Sequence, residues 1–265
     1  MDNHARIQAT WRWPAFTALH LLVAVLLLSW VPETGRELWR AAGAHLFTVL
    51  HGTLGHSASW DLLWALCSTR LWDVLAGALM LTLLLHQGWA FRGAETRRAL
   101  FHLLALLLIL VVLRTLFSKL VGYFHWQHAS PSMLIPNSFR LSESFPALER
   151  LFEVKDRSSR SFPGDHASVL IVWGLFMACF SRGWKLAAST GLVVFCSLPR
   201  LIAGAHWLED IAVGGVLLAA LAFAWGYCTP LGGLIAAGLE RASQPLLPVL
   251  RRLPLLGNWG VLQSR

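Results

Sequence analysis

Two short polar clusters interrupt an otherwise apolar sequence, and their residue types suit transfer of a phosphoryl group. The first is Ser161-Phe162-Pro163-Gly164-Asp165-His166, set directly before an apolar run. Pro and Gly favour a turn there, and Asp165 can cap the first free N–H groups of the helix that follows. A helix N-terminus presents unpaired N–H donors and the positive end of the helix dipole, which suits phosphate. Taken alone, plain capping with a bystander histidine explains this cluster more readily.

The second cluster runs from Pro199-Arg200 to His206 and Asp210. Arg and Asp beside membrane helices are costly and are usually paired or functional. His206 and Asp210 are four apart, so on a helix they share a face. Asp210 can then accept from one ring nitrogen of His206 and leave the other as a nucleophile. Arg200 lies across an expected turn at Gly204 and can face His206, its fork matching two phosphate oxygens. A structural Arg–Asp pair beside an interfacial histidine explains this cluster equally well. The two clusters together supply a nucleophile, an acid and a charge clamp, the parts of a phosphoryl-transfer site.

These residues need helices to hold them, and the composition points to membrane helices. Of the 265 residues, 56% are apolar and 14% charged. A soluble domain carries about a quarter charged residues, and a disordered chain is polar and charge-rich. A nucleic-acid binder would not separate its basic residues by long apolar runs. Six apolar segments, near 16–31, 74–90, 100–116, 166–180, 186–198 and 211–227, predict an all-α polytopic membrane protein of one domain spanning 1–265. The first has no small-residue cleavage site after it and reads as an uncleaved span.

Between the first two spans, Leu38, Ala42, Leu46, Val49 and Leu50 recur at helical spacing within Arg36–His56. That segment reads as a helix lying in the membrane interface, or equally as a loop helix packed on the bundle. Trp11, Trp13, Trp30, Trp72, Trp89, Trp184 and Trp207 fall near span ends, where an aromatic belt is expected. Residues 232–265, with Pro245, Pro248, Pro254, Arg251 and Arg252, read as a short cytoplasmic tail. Cys67, Cys179, Cys196 and Cys228 lack CxxC spacing and read as small buried residues. His45, His51 and His56 have no carboxylate or Cys partners at zinc-ligand spacing, so no metal site is expected. His20, His86 and His102 read as packed residues rather than haem ligands.

The motifs resemble those of the type 2 phosphatidic acid phosphatase (PAP2) superfamily, K-x6-R-P, P-S-G-H and S-R-x5-H-x3-D. The third is matched by Arg200, His206 and Asp210, with Pro199 in place of Ser. The second appears as Pro163-Gly164-Asp165-His166. The first is degraded: Ser130 precedes Pro131, Lys119 lies too far upstream, and His128 falls near a position where many members carry Arg. The SFPGDH form, Ala129-Ser130-Pro131, Lys155-Asp156, and Arg70 with Asp73 resemble one branch, the bacterial lipid A 1-diphosphate synthases.

The resemblance implies a six-span bundle and transfer of the terminal phosphate of undecaprenyl pyrophosphate to lipid A 1-phosphate. It implies His206 as nucleophile, Asp210 as its orienting carboxylate and His166 as acid and then base. Arg200 and N–H groups near Gly164 would hold phosphoryl oxygens, with Lys155 and His128 as further phosphate ligands, and with no metal or cofactor. Asp165 is awkward beside a phosphate unless it caps the helix or pairs with an Arg. A simple hydrolase of undecaprenyl pyrophosphate or phosphatidic acid shares the first half-reaction. A transporter or channel would instead spread polar residues along the spans at mid-depth.

The formal net charge is +8, from 22 Lys+Arg against 14 Asp+Glu. With six spans and both clusters outside, the cytoplasmic side holds eleven of those bases and three of the acids, and so the whole excess. That is the positive-inside pattern, and it predicts cytoplasmic termini in the inner membrane with the site facing the periplasm. No nucleic-acid partner is implied.

Overall fold

The computed structural model describes Ile7 and residues 10–245, and within them every element is helical. Among the described residues, four helices are long and apolar enough to cross a membrane: α1 (Trp13–Trp30), α5 (Ala94–Tyr123), α10 (Trp184–Ile202) and the helix that runs from Asp210 to Tyr227. The last of these opens with a π-helical turn, Asp210–Gly215, and continues as α11 (Val216–Tyr227). Two of the six expected spans are shorter helices of 16 residues, α4 (Arg70–Leu85) and α9 (Asp165–Phe180).

Helix α11 is the centre of the bundle and packs against α1, α5 and α9. Its small residues permit this. Ala219, Ala220, Ala222 and Ala224 are all buried, and short side chains let helix backbones approach closely. The outer helices carry the reverse pattern: Leu21, Val25 and Leu28 of α1, and Val111, Val112 and Leu116 of α5, are exposed. A contiguous apolar surface of that kind marks contact with lipid.

The segment after the first span folds as α2 (Glu33–His51), followed by α3 (Ala58–Cys67). Helix α2 packs on α10, and its buried residues are Gly43, Phe47 and His51. The apolar stripe expected to define the helix is only partly the buried one: Leu46 and Leu50 lie beside Gly43 and Phe47, and Leu50 packs on the core. Leu38 and Val49 point outward, because the inward face needs Gly43 for close approach to Trp207 and Glu209. Trp30 also departs from the expected belt. It is buried and stacks on Phe162 at 4.4 Å, bracing the SFPGDH loop.

Three short helices, α6 (Pro131–Leu134), α7 (Leu141–Ser144) and α8 (Pro146–Phe152), fill the polar segment before α9. The segment expected to be a tail opens as α12 (Pro230–Ser243), packed on α5. Pro248, Arg251, Arg252 and Pro254 lie outside the described residues.

Candidate active site

The end of α10 and the start of the last span are joined by a turn at Gly204, whose φ of +78° favours glycine. The N–H groups of Ala205 and His206 both donate to the Arg200 carbonyl, at 2.9 and 3.1 Å, and fix the arginine relative to the histidine. His206 precedes the helix rather than lying on it. Asp210, in the π-helical turn, reaches back to accept from Trp207 N–H at 2.8 Å and stands 3.1 Å from His206 Nδ1. The four-residue spacing therefore works through a capped turn, not through a shared helix face. Asp210 is fully buried, so its negative charge acts on His206 with little screening by water.

The SFPGDH loop lies against that π-helical turn. Gly164 N–H donates to the Asp210 carbonyl at 2.9 Å, and a Cβ at Gly164 would sit 2.6 Å from the same oxygen. Gly164 is thus a close-approach residue, and its own N–H is already engaged. Asp165 begins α9 in two contacts: Oδ1 accepts from His166 N–H at 2.8 Å, and Oδ2 pairs with Arg114 of α5 at 2.5 Å. Of the two resolutions expected for this awkward carboxylate, the Arg pair is present, while the N-cap position itself is Gly164 and Asp165 takes up only the N–H of the next residue.

A cavity of about 550 Å³ brings the two clusters together, with His166, Arg200, His206, Lys155 and Asp165 in its wall. Asp73, in the first turn of α4, joins them there. Arg200 donates from Nη2 to both Asp73 oxygens, at 2.7 and 2.5 Å, and from Nη1 to the Ser68 carbonyl at 3.1 Å. The same carboxylate stands 3.7 Å from His166 Nδ1. Arg200 is therefore ion-paired as well as cavity-lining, a partnership that the spacing of Arg200 and His206 does not reveal.

Lys155 pairs with Glu153, whose carboxyl is held down at about 2 by Arg70 and then by Lys155 itself. His128 sits apart from the cavity. Its Nε2 is 3.5 Å from Asp210 Oδ1, longer than a formed hydrogen bond, and its Nδ1 is 3.1 Å from Ser161 Oγ. Burial lowers the His128 pKa. Arg160 adds a further cation to the cavity wall. Among the described residues, no group of three or more His, Cys, Asp or Glu side chains is placed to hold a metal ion.

The spatial union of Arg200, His206 and Asp210 with the SFPGDH loop coincides with a sequence match. Residues 129–231 match the model of the PAP2 superfamily. The chain is also 30% identical, over 236 residues, to the lipid A 1-diphosphate synthase of Escherichia coli (strain K12), covering 86% of this chain and 93% of that protein. The chain belongs to the PAP2 superfamily. No solved structure matches it. The PAP2 match spans the 129–131 segment, the SFPGDH loop and the Arg200–Asp210 turn, and leaves Asp73 and Arg114 outside. Asp73 entered the sequence reading through the branch resemblance, with no role assigned, and Arg114 was reachable only as a charge in an apolar span, which is a functional flag in itself.

Proposed function

We propose that this chain is an integral inner-membrane lipid phosphotransferase with six spans, cytoplasmic termini and a periplasmic active site. It moves the terminal phosphate of undecaprenyl pyrophosphate to lipid A 1-phosphate, giving lipid A 1-diphosphate and undecaprenyl phosphate. The observation that carries the reading is the Asp210–His206 pair, at 3.1 Å, with His206 in the wall of a cavity that also holds His166 and Arg200.

The proposed chemistry has two balanced steps. His206 Nδ1–H donates to Asp210, which leaves the Nε2 lone pair to attack the terminal phosphorus. The bond from that phosphorus to the bridging oxygen breaks, and His166 delivers a proton to the departing phosphate. The product is a phosphohistidine whose imidazolium charge Asp210 offsets. In the second step the acceptor's phosphate oxygen attacks the same phosphorus, His166 takes its proton where one is present, and the His206–phosphorus bond breaks. Arg200 and Lys155 neutralise the phosphoryl oxygens. Asp73 holds Arg200 in place.

The test uses purified protein and undecaprenyl pyrophosphate labelled at its terminal phosphate. The expected result is label on added lipid A, abolished in His206→Ala. Release of all label as inorganic phosphate, whatever acceptor is supplied, would replace the transferase with the hydrolase. Near-normal turnover by His206→Ala would remove the assigned nucleophile.

A further inference from the structure

A second cavity, of about 210 Å³, lies between the start of α2 and residues 124–128. Arg36 and Arg40 stand in its wall one helical turn apart, hence on one face of α2. Among the described residues, neither forms an ion pair with a carboxylate. Glu209 closes the inner end. It is 2% exposed, and its Oε2 has no hydrogen-bond partner. Gln127 lines both this cavity and the catalytic one, so the two meet at that residue. Its Oε1 is likewise buried without a partner.

The flanks identify the side from which a ligand arrives. Val31, next to Trp30 of the wall, and Phe124 in the wall with Tyr123 beside it, are exposed apolar groups. A polar cavity framed in this way fits the headgroup of a molecule whose apolar part remains in lipid. Two guanidinium forks one turn apart suit the oxygens of a phosphomonoester, which each can bind bidentately. The acids in the wall do not cancel them. Glu33 is exposed to solvent. Burial raises the Glu209 pKa to about 7, so much of it is a neutral hydroxyl donor near neutrality.

We propose that this second cavity is a phosphate subsite, which takes the remote phosphomonoester of a lipid whose other phosphate lies in the catalytic cavity. The inference rests on the phosphotransferase reading and sharpens it. The acceptor would be a doubly phosphorylated lipid, recognised at both phosphates in the two cavities that meet at Gln127.

The experiment compares lipid A carrying both phosphates with the same lipid lacking the one remote from the accepting phosphate. In the natural protein, the acceptor KM is expected to be about tenfold lower for the doubly phosphorylated lipid, the scale of one charge-assisted phosphate contact. In Arg36→Ala/Arg40→Ala that advantage disappears, and both lipids show the KM of the singly phosphorylated one. A thermal midpoint near that of the natural protein verifies that the variant is folded. Gln substitution at both positions serves where the Ala variant is not folded.

Equal KM values for the two lipids in the natural protein overturn the inference while leaving the transferase standing. Inorganic phosphate that raises the thermal midpoint through Arg36 and Arg40, with no difference between the lipids, also overturns the lipid assignment and leaves a free-phosphate site. Phosphate release with transfer to neither lipid rejects the transferase reading instead.

Discussion

Asp73 receives Arg200 on both carboxylate oxygens, at 2.7 and 2.5 Å, and stands 3.7 Å from the Nδ1 of His166. One side chain from α4 thus touches both the proposed charge clamp and the proposed acid. Arg200 is 6% exposed, and removing one partner of a buried pair leaves an uncompensated charge. The pair orients the guanidinium as well, with Nη1 turned to the Ser68 carbonyl.

Asp73→Asn keeps the shape and removes the charge. It is expected to lower kcat by about 100-fold, the scale of a displaced catalytic group. Its thermal midpoint should also fall. The check is turnover of labelled undecaprenyl pyrophosphate beside a melting curve in the same detergent. Unchanged kcat would mean that Arg200 keeps its position without the carboxylate.

His128 is expected to act through Asp210 rather than on phosphate. A carboxylate oxygen 3.5 Å away calls for the tautomer with hydrogen on Nε2, and Ser161 beside Nδ1 can hold that tautomer. His128→Ala should lower kcat by about tenfold with KM little changed. His128→Gln, which restores an N–H donor, should recover part of the loss. A rise in KM with kcat intact would instead support the direct phosphate contact implied by the family pattern.

The legible part of the site is the part that is close in sequence. Arg200, His206 and Asp210 lie within one turn and its flanks, so their spacing brings them together, though through a turn before the helix rather than on the shared helix face it suggests. The SFPGDH loop is readable because Pro, Gly and Asp set a turn before an apolar run. Asp73 and Arg114 are remote from Arg200 and Asp165, and no local pattern can pair residues that only the packing of helices brings together. The same holds for the buried face of α2, which centres on Gly43 and Phe47, keeps Leu46 and Leu50 of the expected stripe and leaves Leu38 and Val49 outward. Helix positions followed the apolar runs, while their ends moved by several residues because polar caps such as Thr69 belong to the helices too.

Glu209 gives a pH signature separate from catalysis. Burial raises its pKa from 4.5 to about 7, so folding favours the protonated form. Its contribution to stability is full below the unfolded value and is lost as pH rises through about 7. The shift corresponds to at most about 3 kcal/mol. Glu209→Gln should remove that part of the pH dependence, so that its thermal midpoint exceeds that of the natural protein at pH 8 and approaches it at pH 5. Parallel curves across that range would place the ionisation elsewhere.

Arg114 and Asp165 form a half-exposed pair, at 2.5 Å, one residue before His166. Such pairs add only about 0–1 kcal/mol to stability, so neither Arg114→Ala nor Asp165→Asn should shift the melting midpoint much. Catalysis should respond differently. Without Arg114 the Asp165 carboxylate faces the cavity uncompensated and repels the incoming pyrophosphate, and KM should rise about tenfold, the size of a single unfavourable charge contact. Removing that carboxylate in Arg114→Ala/Asp165→Asn should then return KM most of the way to the natural value. The cycle of the two single variants and the double variant separates two roles for Arg114. Recovery in the double variant means that the arginine serves to neutralise Asp165. A double variant no better than Arg114→Ala alone means that the guanidinium itself binds the phosphate.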